Sequence, residues 1–505
     1  MLELLVEKLL TYAELKLALN AEDINYYRNI LLSKFGLKKP YTGVINVSEI
    51  ASLNNPSTLI SELEEAIKEY KYPHLSVKAS EGIITDILGM MTPIPSVVNY
   101  RFFEAYKKSS DHAIKYLHDL SIANNYIQQA KIEQNIRWRA PIGENYFEMT
   151  INLAKPEKDN KDVAKVLKEN PEDKYPSCPL CLENVGFAGD DNTPPRQNLR
   201  AVPLMLDKEE WYLQYSPFVY YEDHIIVISK EHKPMTISPR IFAKLVAFVD
   251  QFPNLFIGSN SDIPIVGGSI LNHEHFQGGA LVMPMFEVKD RYVLKHKAAN
   301  KIKISILDWE SNVVKLESRS KSLLLAKAAK LSERWLNYEN KELGIIPRTG
   351  DTRHAAVTPI VVKRKRKYIM YIILRNNRTD KKYPTGIFHA HPEYHHIKKE
   401  GIGLIEQMGT FILPARLKTE FDLMKKLYYK GVSAEKMMAE HEKLVKHKDF
   451  ITKLFKAEPK ASEYEKFSRD YMTDVCHNVL SNTACFKDDE DGQKAFERFL
   501  IATFR

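Results

Sequence analysis

The stretch GGSILNHEHFQGG, residues 267–279, sets His273, His275 and Gln277 at every second position between two pairs of glycines. On a helix these side chains would fan out to different sides. On a strand they share one face, and Glu274 and Phe276 take the other. The spacing therefore predicts a strand that carries two imidazoles and an amide into one site. The flanking glycines let the backbone bend and let a ligand approach closely. A neutral imidazole can attack phosphorus and hold the product as a phosphoramidate. Its other ring nitrogen must then donate to a fixed acceptor, which sets the tautomer. Gln277 can donate a hydrogen bond to a phosphoryl oxygen, but it exchanges no proton at neutral pH. Such a site stabilises a group in transfer without readily activating water.

Outward from this stretch the texture of the chain changes several times. Residues 1–135 show apolar residues at helical spacing, with charges between them, and predict a helical region. From RAPIGENYFEMTINLAKPEKD to LVMP, short apolar runs bounded by Pro, Gly and Asn predict a sheet over 136–294. Residues 295–345, with SLLLAKAAKLSERWLNYEN, read as a helical connection. AAVTPIVV, KYIMYIILRNN and GIFHAH bring strand patterns back over 346–420, and 421–505 reads as helical. Each β-rich segment contains a His-x-His pair, which fits a diverged internal duplication. No Walker A pattern and no Gly-x-Gly-x-x-Gly follows a strand, so the commonest nucleotide cradles are missing.

At 505 residues the chain is long enough for two or three domains, and its 44% hydrophobic and 27% charged residues are ordinary for a globular protein. No apolar run is long enough to span a bilayer. The opening MLELLVEKLLTYAELKLALN mixes charges into its leucines and reads as an amphipathic helix rather than a signal peptide. Four cysteines without a regular framework point to a reducing compartment, the cytoplasm. The formal charge of +8 suits anionic ligands without identifying them. Its clearest cluster, KRKRK at 363–367, lies between two β-rich runs and reads as the solvated turn of a hairpin. The rival reading is a localisation or nucleic-acid signal.

SCPLC gives Cys178 and Cys181 the spacing that lets two thiolates grip one zinc ion. A redox pair is the rival, although no strand-to-helix thioredoxin unit surrounds it. No second Cys-x-x-Cys or His pair follows nearby, so histidines of neighbouring strands are the candidates for closing the set. They are His224 in YYEDHIIVIS and His273. Four-ligand closure would make the site structural. Cys476 and Cys485, far off in the helical tail, read as ordinary buried thiols. Arg196, Asn198 and Arg200 in PPRQNLR are candidates for contacts to a phosphate-bearing ligand, with surface salt bridges as the alternative.

The motif His-x-His-x-Gln resembles the transferase branch of the histidine-triad superfamily. The chain as a whole is similar to the type 2 galactose-1-phosphate uridylyltransferases. This resemblance runs from about residue 130 to 425. It is carried by FEMTINLAKPEKD (147–159), CPLCLENVGFAGD (178–190), PPRQNLRAVPL (194–204), QYSPFVYYEDHIIVISKEHKPM (214–235), GSNSDIPIVGGSILNHEHFQGG (258–279), ILRNNRT (373–379) and HAHPEYHHIKKEGIGLIEQMGTFILPARL (389–417). It implies an α+β fold of two histidine-triad-like antiparallel-sheet halves in one chain, with helical N- and C-terminal extensions. It also implies a ping-pong exchange. His275 would take UMP from UDP-glucose, and galactose 1-phosphate would then accept it, while Gln277 steadies the α-phosphoryl group. Cys178, Cys181, His224 and His273 line up with the zinc ligands of the type 1 branch. Asn260 and Ser269 resemble the Asn and Ser that precede its active strand, with one extra residue between them. His389 and His391 could supply the His-x-His pair of that branch's second metal site. No match to its other ligands is found, and a substrate-binding or structural role is expected of them instead.

The expected cofactor is thus structural zinc, with no organic cofactor. The expected partners are UDP-glucose and galactose 1-phosphate, with neither nucleic acid nor membrane, and a homodimer is one assembly open to the chain. Two other functions compete. A dinucleoside polyphosphate phosphorylase of the same superfamily can share the Gln, whereas a hydrolase would carry His at 277. A zinc-braced nucleic-acid-binding protein would need a basic face with interleaved aromatics, and here the basic residues are dispersed.

Overall fold

Runs of β-branched and aromatic residues two to ten long, broken by Gly, Asn and charged pairs, account for the strands of this chain. The computed structural model describes residues 2–70, 77–154, 175–190, 193–268, 270–295, 300–399 and 401–505. Ser269, expected to contact substrate, lies outside them. The strands in chain order are β1 (Ile136–Ile142), β2 (Asn145–Asn152), β3 (Val202–Leu206), β4 (Glu209–Tyr215), β5 (Ile225–Ser229), β6 (Leu255–Gly258), β7 (His275–Ala280), β8 (Asp290–Val293), β9 (Ile302–Leu307), β10 (Val313–Ser318), β11 (Arg348–Thr349), β12 (Thr352–Arg353), β13 (Ala355–Arg364), β14 (Lys367–Asn376) and β15 (Thr410–Pro414).

The chain divides into two compact units. One comprises Met1–Gln134 and Lys158–Lys233, the other Asn135–Glu157 and Pro234–Arg505. In the first, helices such as Leu2–Lys16, Val77–Met91 and Pro95–Lys108 precede an antiparallel meander, β3–β4–β5. Leu204, Trp211, Leu213, Val227 and Ile228 bury its apolar side chains.

In the second unit the antiparallel order is β7–β6–β13–β14–β10–β9–β8. A smaller sheet pairs β1 with β2 antiparallel and β2 with β15 parallel, Thr410 opposite Glu148 and Pro414 opposite Asn152. Helix Pro239–Gln251 packs on β6 and β13. It presents Ile241, Phe242, Leu245, Phe248 and Val249 as its buried stripe, the spacing of an amphipathic helix. The fold is α+β, with large antiparallel sheets and helical regions at both ends of the chain.

The basic run at 363–367 is the hairpin turn expected. β13 ends at Arg364, β14 begins at Lys367, and Lys365 takes φ +56°. The stretch 295–345 departs from the expected helical connection. Only Lys321–Leu336 forms a long helix there, while IKISIL and VVKLES become β9 and β10. Their alternating β-branched residues bury Ile304, Ile306, Val314 and Leu316 on a neighbouring strand. TFILP, inside the strand-patterned stretch 346–420, forms β15, with Phe411 and Leu413 buried.

Candidate active site and metal centre

In the second unit β7 opens at His275, so His275 and Gln277 share a face by strand alternation while His273 sits in the bend just before it. Glu274 and Phe276 turn the other way, as expected. Phe276 is wholly buried, and Glu274 meets Lys244 of helix Pro239–Gln251 at 3.2 Å. Both members of that ion pair are buried, which makes it costly to break from one side. It pins the backbone between the two histidines to the helix behind the sheet.

His275 is buried, and its Nδ1 lies 2.8 Å from the carbonyl oxygen of His273. A carbonyl oxygen only accepts, so Nδ1 carries the proton and the lone pair of the neutral ring is on Nε2. This is the tautomer an attacking imidazole needs, with its acceptor supplied by the backbone of the motif itself.

Asn260 follows β6. The register sets Gly258 opposite Gln277, and continuing it brings residue 260 level with His275 on the same face. Its Oδ1 accepts the Leu404 backbone N–H at 2.8 Å, which fixes the amide and turns Nδ2 the other way. A Cβ on Gly268 would lie 2.9 Å from that Nδ2. A Cβ on Gly267 would lie 2.5 Å from the carbonyl oxygens of both Ile263 and Ser261. Glycine at these positions thus lets the 267–272 backbone run close beside Asn260.

In the first unit Cys178, Cys181 and His232 offer ligand atoms within 4.8 Å of one another. The two Sγ atoms are 3.4 Å apart, and Nδ1 of His232 is 3.0 Å from Cys181 Sγ. Short hydrogen bonds shape the knuckle around the two thiols. Leu180 N–H points at Cys178 Sγ at 3.3 Å, and buried Asn184 donates to the carbonyls of Cys178 and Cys181, each at 2.8 Å. This Cys/His cluster can hold a metal ion. The histidine gathered to the thiols is His232 rather than the expected His224. The His224 ring lies against Tyr221 at 4.4 Å and Tyr220 at 5.3 Å, at the opposite end of β5.

The PPRQNLR residues are placed differently from their expected role. All five N–H groups of Arg200 are spent on carbonyls, those of Pro93, Gln197, Leu199, Gly89 and Thr92, at 2.7–3.0 Å. Asn198 exchanges amide–carbonyl bonds with Asn124 at 2.9 and 2.7 Å. Both are latches onto neighbouring segments, with no donor of Arg200 left for a phosphate. Arg196 is half-buried over the Tyr126 ring, 5.6 Å from its centroid.

The histidines of HAHPEYHH bond largely to the chain around them. His389 Nε2 accepts from Ile402 N–H at 3.2 Å, and His391 Nε2 donates to Ile387 O at 3.0 Å with its ring stacked on Tyr383. His395 Nε2 donates to Ala390 O at 3.0 Å, and His396 lies between Glu393 O and the Tyr471 hydroxyl.

Three comparisons bear on what this arrangement belongs to. Residues 44–234 match the family model of the galactose-1-phosphate uridyl transferase N-terminal domain. A galactose-1-phosphate uridylyltransferase of Caldanaerobacter subterraneus is 39% identical over 98% of this chain and 96% of its own length. Those of Clostridium acetobutylicum and Bacillus subtilis are each 37% identical over 98% of this chain, and over 98% and 96% of their own lengths. Yeast Ap4A phosphorylase Apa2 in complex with Ap4A is alike at a TM-score of only 0.33 and 14% identity, over 60% of this chain and 91% of that one, too slight to bear on function. With kinship along its whole length, and with the His-x-His-x-Gln strand at its centre, the chain belongs to the galactose-1-phosphate uridylyltransferase family.

Proposed function

We propose that this protein transfers the uridylyl group of UDP-glucose to galactose 1-phosphate by a ping-pong route through a covalent uridylyl-histidine. The hydrogen bond from His275 Nδ1 to the His273 carbonyl carries the reading, because it leaves Nε2 as an in-plane nucleophile. In the first half-reaction Nε2 attacks the α-phosphorus of UDP-glucose. The P–N bond forms, the bond to the bridging oxygen breaks, and glucose 1-phosphate leaves as a stable anion that needs little acid help. In the second, a phosphate oxygen of galactose 1-phosphate attacks the same phosphorus, and Nε2 leaves with its lone pair restored, giving UDP-galactose.

Gln277, two residues on along the same face, donates to the phosphoryl oxygen as charge builds there. Asn260 supplies a second donor level with His275, and Arg196 is the remaining candidate in its motif for a phosphate or uridine contact. Cys178, Cys181 and His232 would hold structural zinc. The ion's part is to brace the loops that carry its ligands, and the chemistry stays with His275. The function is tested by UDP-galactose formation from UDP-glucose and galactose 1-phosphate by purified protein. Release of glucose 1-phosphate matched by free UMP, with no UDP-galactose, would refute it.

A further inference from the structure

We infer that Arg375 and His389 are positioning residues for the transfer: they grip Ile402 from two sides, and the adjoining Gly403–Leu404 backbone thereby fixes the Asn260 amide beside the nucleophilic strand. The inference rests on the reading of Asn260 as a phosphoryl donor. Arg375, on β14, is wholly buried, and its Nη2 donates to Ile402 O at 2.7 Å. His389 is buried on the other side of the same residue and accepts its N–H at 3.2 Å. One residue is therefore held through both its carbonyl and its amide.

The segment it anchors is short and stiffly tied. Gly403 N–H donates to Glu406 Oε2 at 3.1 Å, and Glu406 Oε1 accepts from buried Lys398 at 2.8 Å. Leu404 N–H then meets Asn260 Oδ1. A Cβ on Gly403 would lie 2.8 Å from that same oxygen, so the segment must come within van der Waals contact of the amide. A shift of Ile402 would rotate the Asn260 side chain and move Nδ2 from its place.

The backbone of Arg375 stands away from the nucleophilic strand. Arg375 pairs with Ala356 on β13, and three strand spacings separate β14 from β7, roughly 14 Å. Burial, with help from the Arg375 charge, lowers His389 to about 3, so its Nε2 keeps the lone pair that receives the Ile402 amide at neutral pH. Through Arg375 Nη2 and His389 Nε2 a guanidinium and a neutral imidazole both hold one backbone residue, next to a segment touching Asn260, and act as support for the site.

The test compares His389→Gln, whose amide oxygen can still accept, with His389→Leu, which cannot, in the wild-type and Asn260→Ala backgrounds. Arg375→Lys and Arg375→Leu form a second pair. Transfer from UDP-glucose to galactose 1-phosphate is followed as kcat and KM separately. His389→Leu should lower kcat roughly tenfold with a smaller change in KM, and His389→Gln should recover most of it, since about 1.4 kcal/mol of misplacement is enough. In the Asn260→Ala background His389→Leu should cost no more than about twofold further. Equal losses in both backgrounds, or Gln as slow as Leu, would overturn the clamp. Full activity of Asn260→Ala beside a slow His389→Leu would overturn the route through Asn260. Absence of transfer in the wild type is the distinct result that rejects the function itself.

Discussion

His275 Nδ1 and the carbonyl oxygen of His273 are 2.8 Å apart, so the first histidine of the motif orients the second through its backbone. The bond leaves the Nε2 of His275 with the lone pair that an attack on phosphorus requires. A histidine bound to metal has already given up the pair that an attack on phosphorus requires.

Gln277 should govern transfer rather than proton movement. Replacing it with Ala should slow uridylyl transfer by roughly 10²-fold, the usual loss for one preorganised donor to a charged transition state. Steady-state rates with both substrates check this, and an Ala variant within a few-fold of wild type would reduce Gln277 to packing.

Metal content separates the two histidines that flank β5. Purified protein should carry about one zinc per chain. Cys178→Ser, Cys181→Ser and His232→Ala should each lose most of it and melt at lower temperature, because metal-binding free energy is also folding free energy. His224→Gln should keep its metal. Elemental analysis beside a thermal melt reads both, and a His224 variant that loses zinc while His232→Ala retains it would reverse the assignment.

Gly267 and Gly268 should fail in different ways when replaced by Ala. At 268 the new methyl group meets the Asn260 amide nitrogen, the end of a side chain that can yield, so activity should drop with little change in Tm. At 267 it meets two backbone oxygens that cannot move cheaply, so the overpacking should destabilise the fold by roughly 1–3 kcal/mol and lower Tm. Kinetics and melts of the two variants, compared directly, decide the matter; a Gly268→Ala enzyme of normal activity would remove Asn260 from the account.

Acid should weaken the fold through His389. Its folded value is lowered by burial to about 3 from 6.5, so between those values the unfolded chain binds the extra proton and the folded one does not. The stability from the neutral ring is complete above pH 6.5 and drains away as the pH falls toward 3. Melts of wild type and His389→Gln across that window should show a shallower decline in the variant. Parallel curves would mean that His389 contributes nothing to the acid response.

Much of this was legible because local physics decided it. The alternation of His275 and Gln277 belongs to the strand itself, and the glycines marked where the backbone had to come close. Other features depended on partners that no local pattern names. His224 and His232 flank one five-residue strand, and which end meets the cysteine knuckle depends on tertiary folding, so spacing could not choose between them. Arg200 carries the residue type of a phosphate contact, yet it spends its donors on carbonyls that come in part from residues 89–93, over a hundred positions away. In IKISIL and VVKLES the lysines mask a strand alternation that only the neighbouring strand makes worthwhile, so the pattern alone reads as part of a helical region.

The central claim is that His275 becomes covalently uridylylated, and trapping the intermediate tests it most directly. Protein incubated with UDP-glucose and no acceptor should gain one UMP in intact mass, alkali-stable and acid-labile as a phosphoramidate. Peptide mapping should place it on His275, and His275→Ala should lose both the adduct and isotope exchange between glucose 1-phosphate and UDP-glucose. An adduct on His273, or sequential kinetics with no adduct at all, would contradict the account.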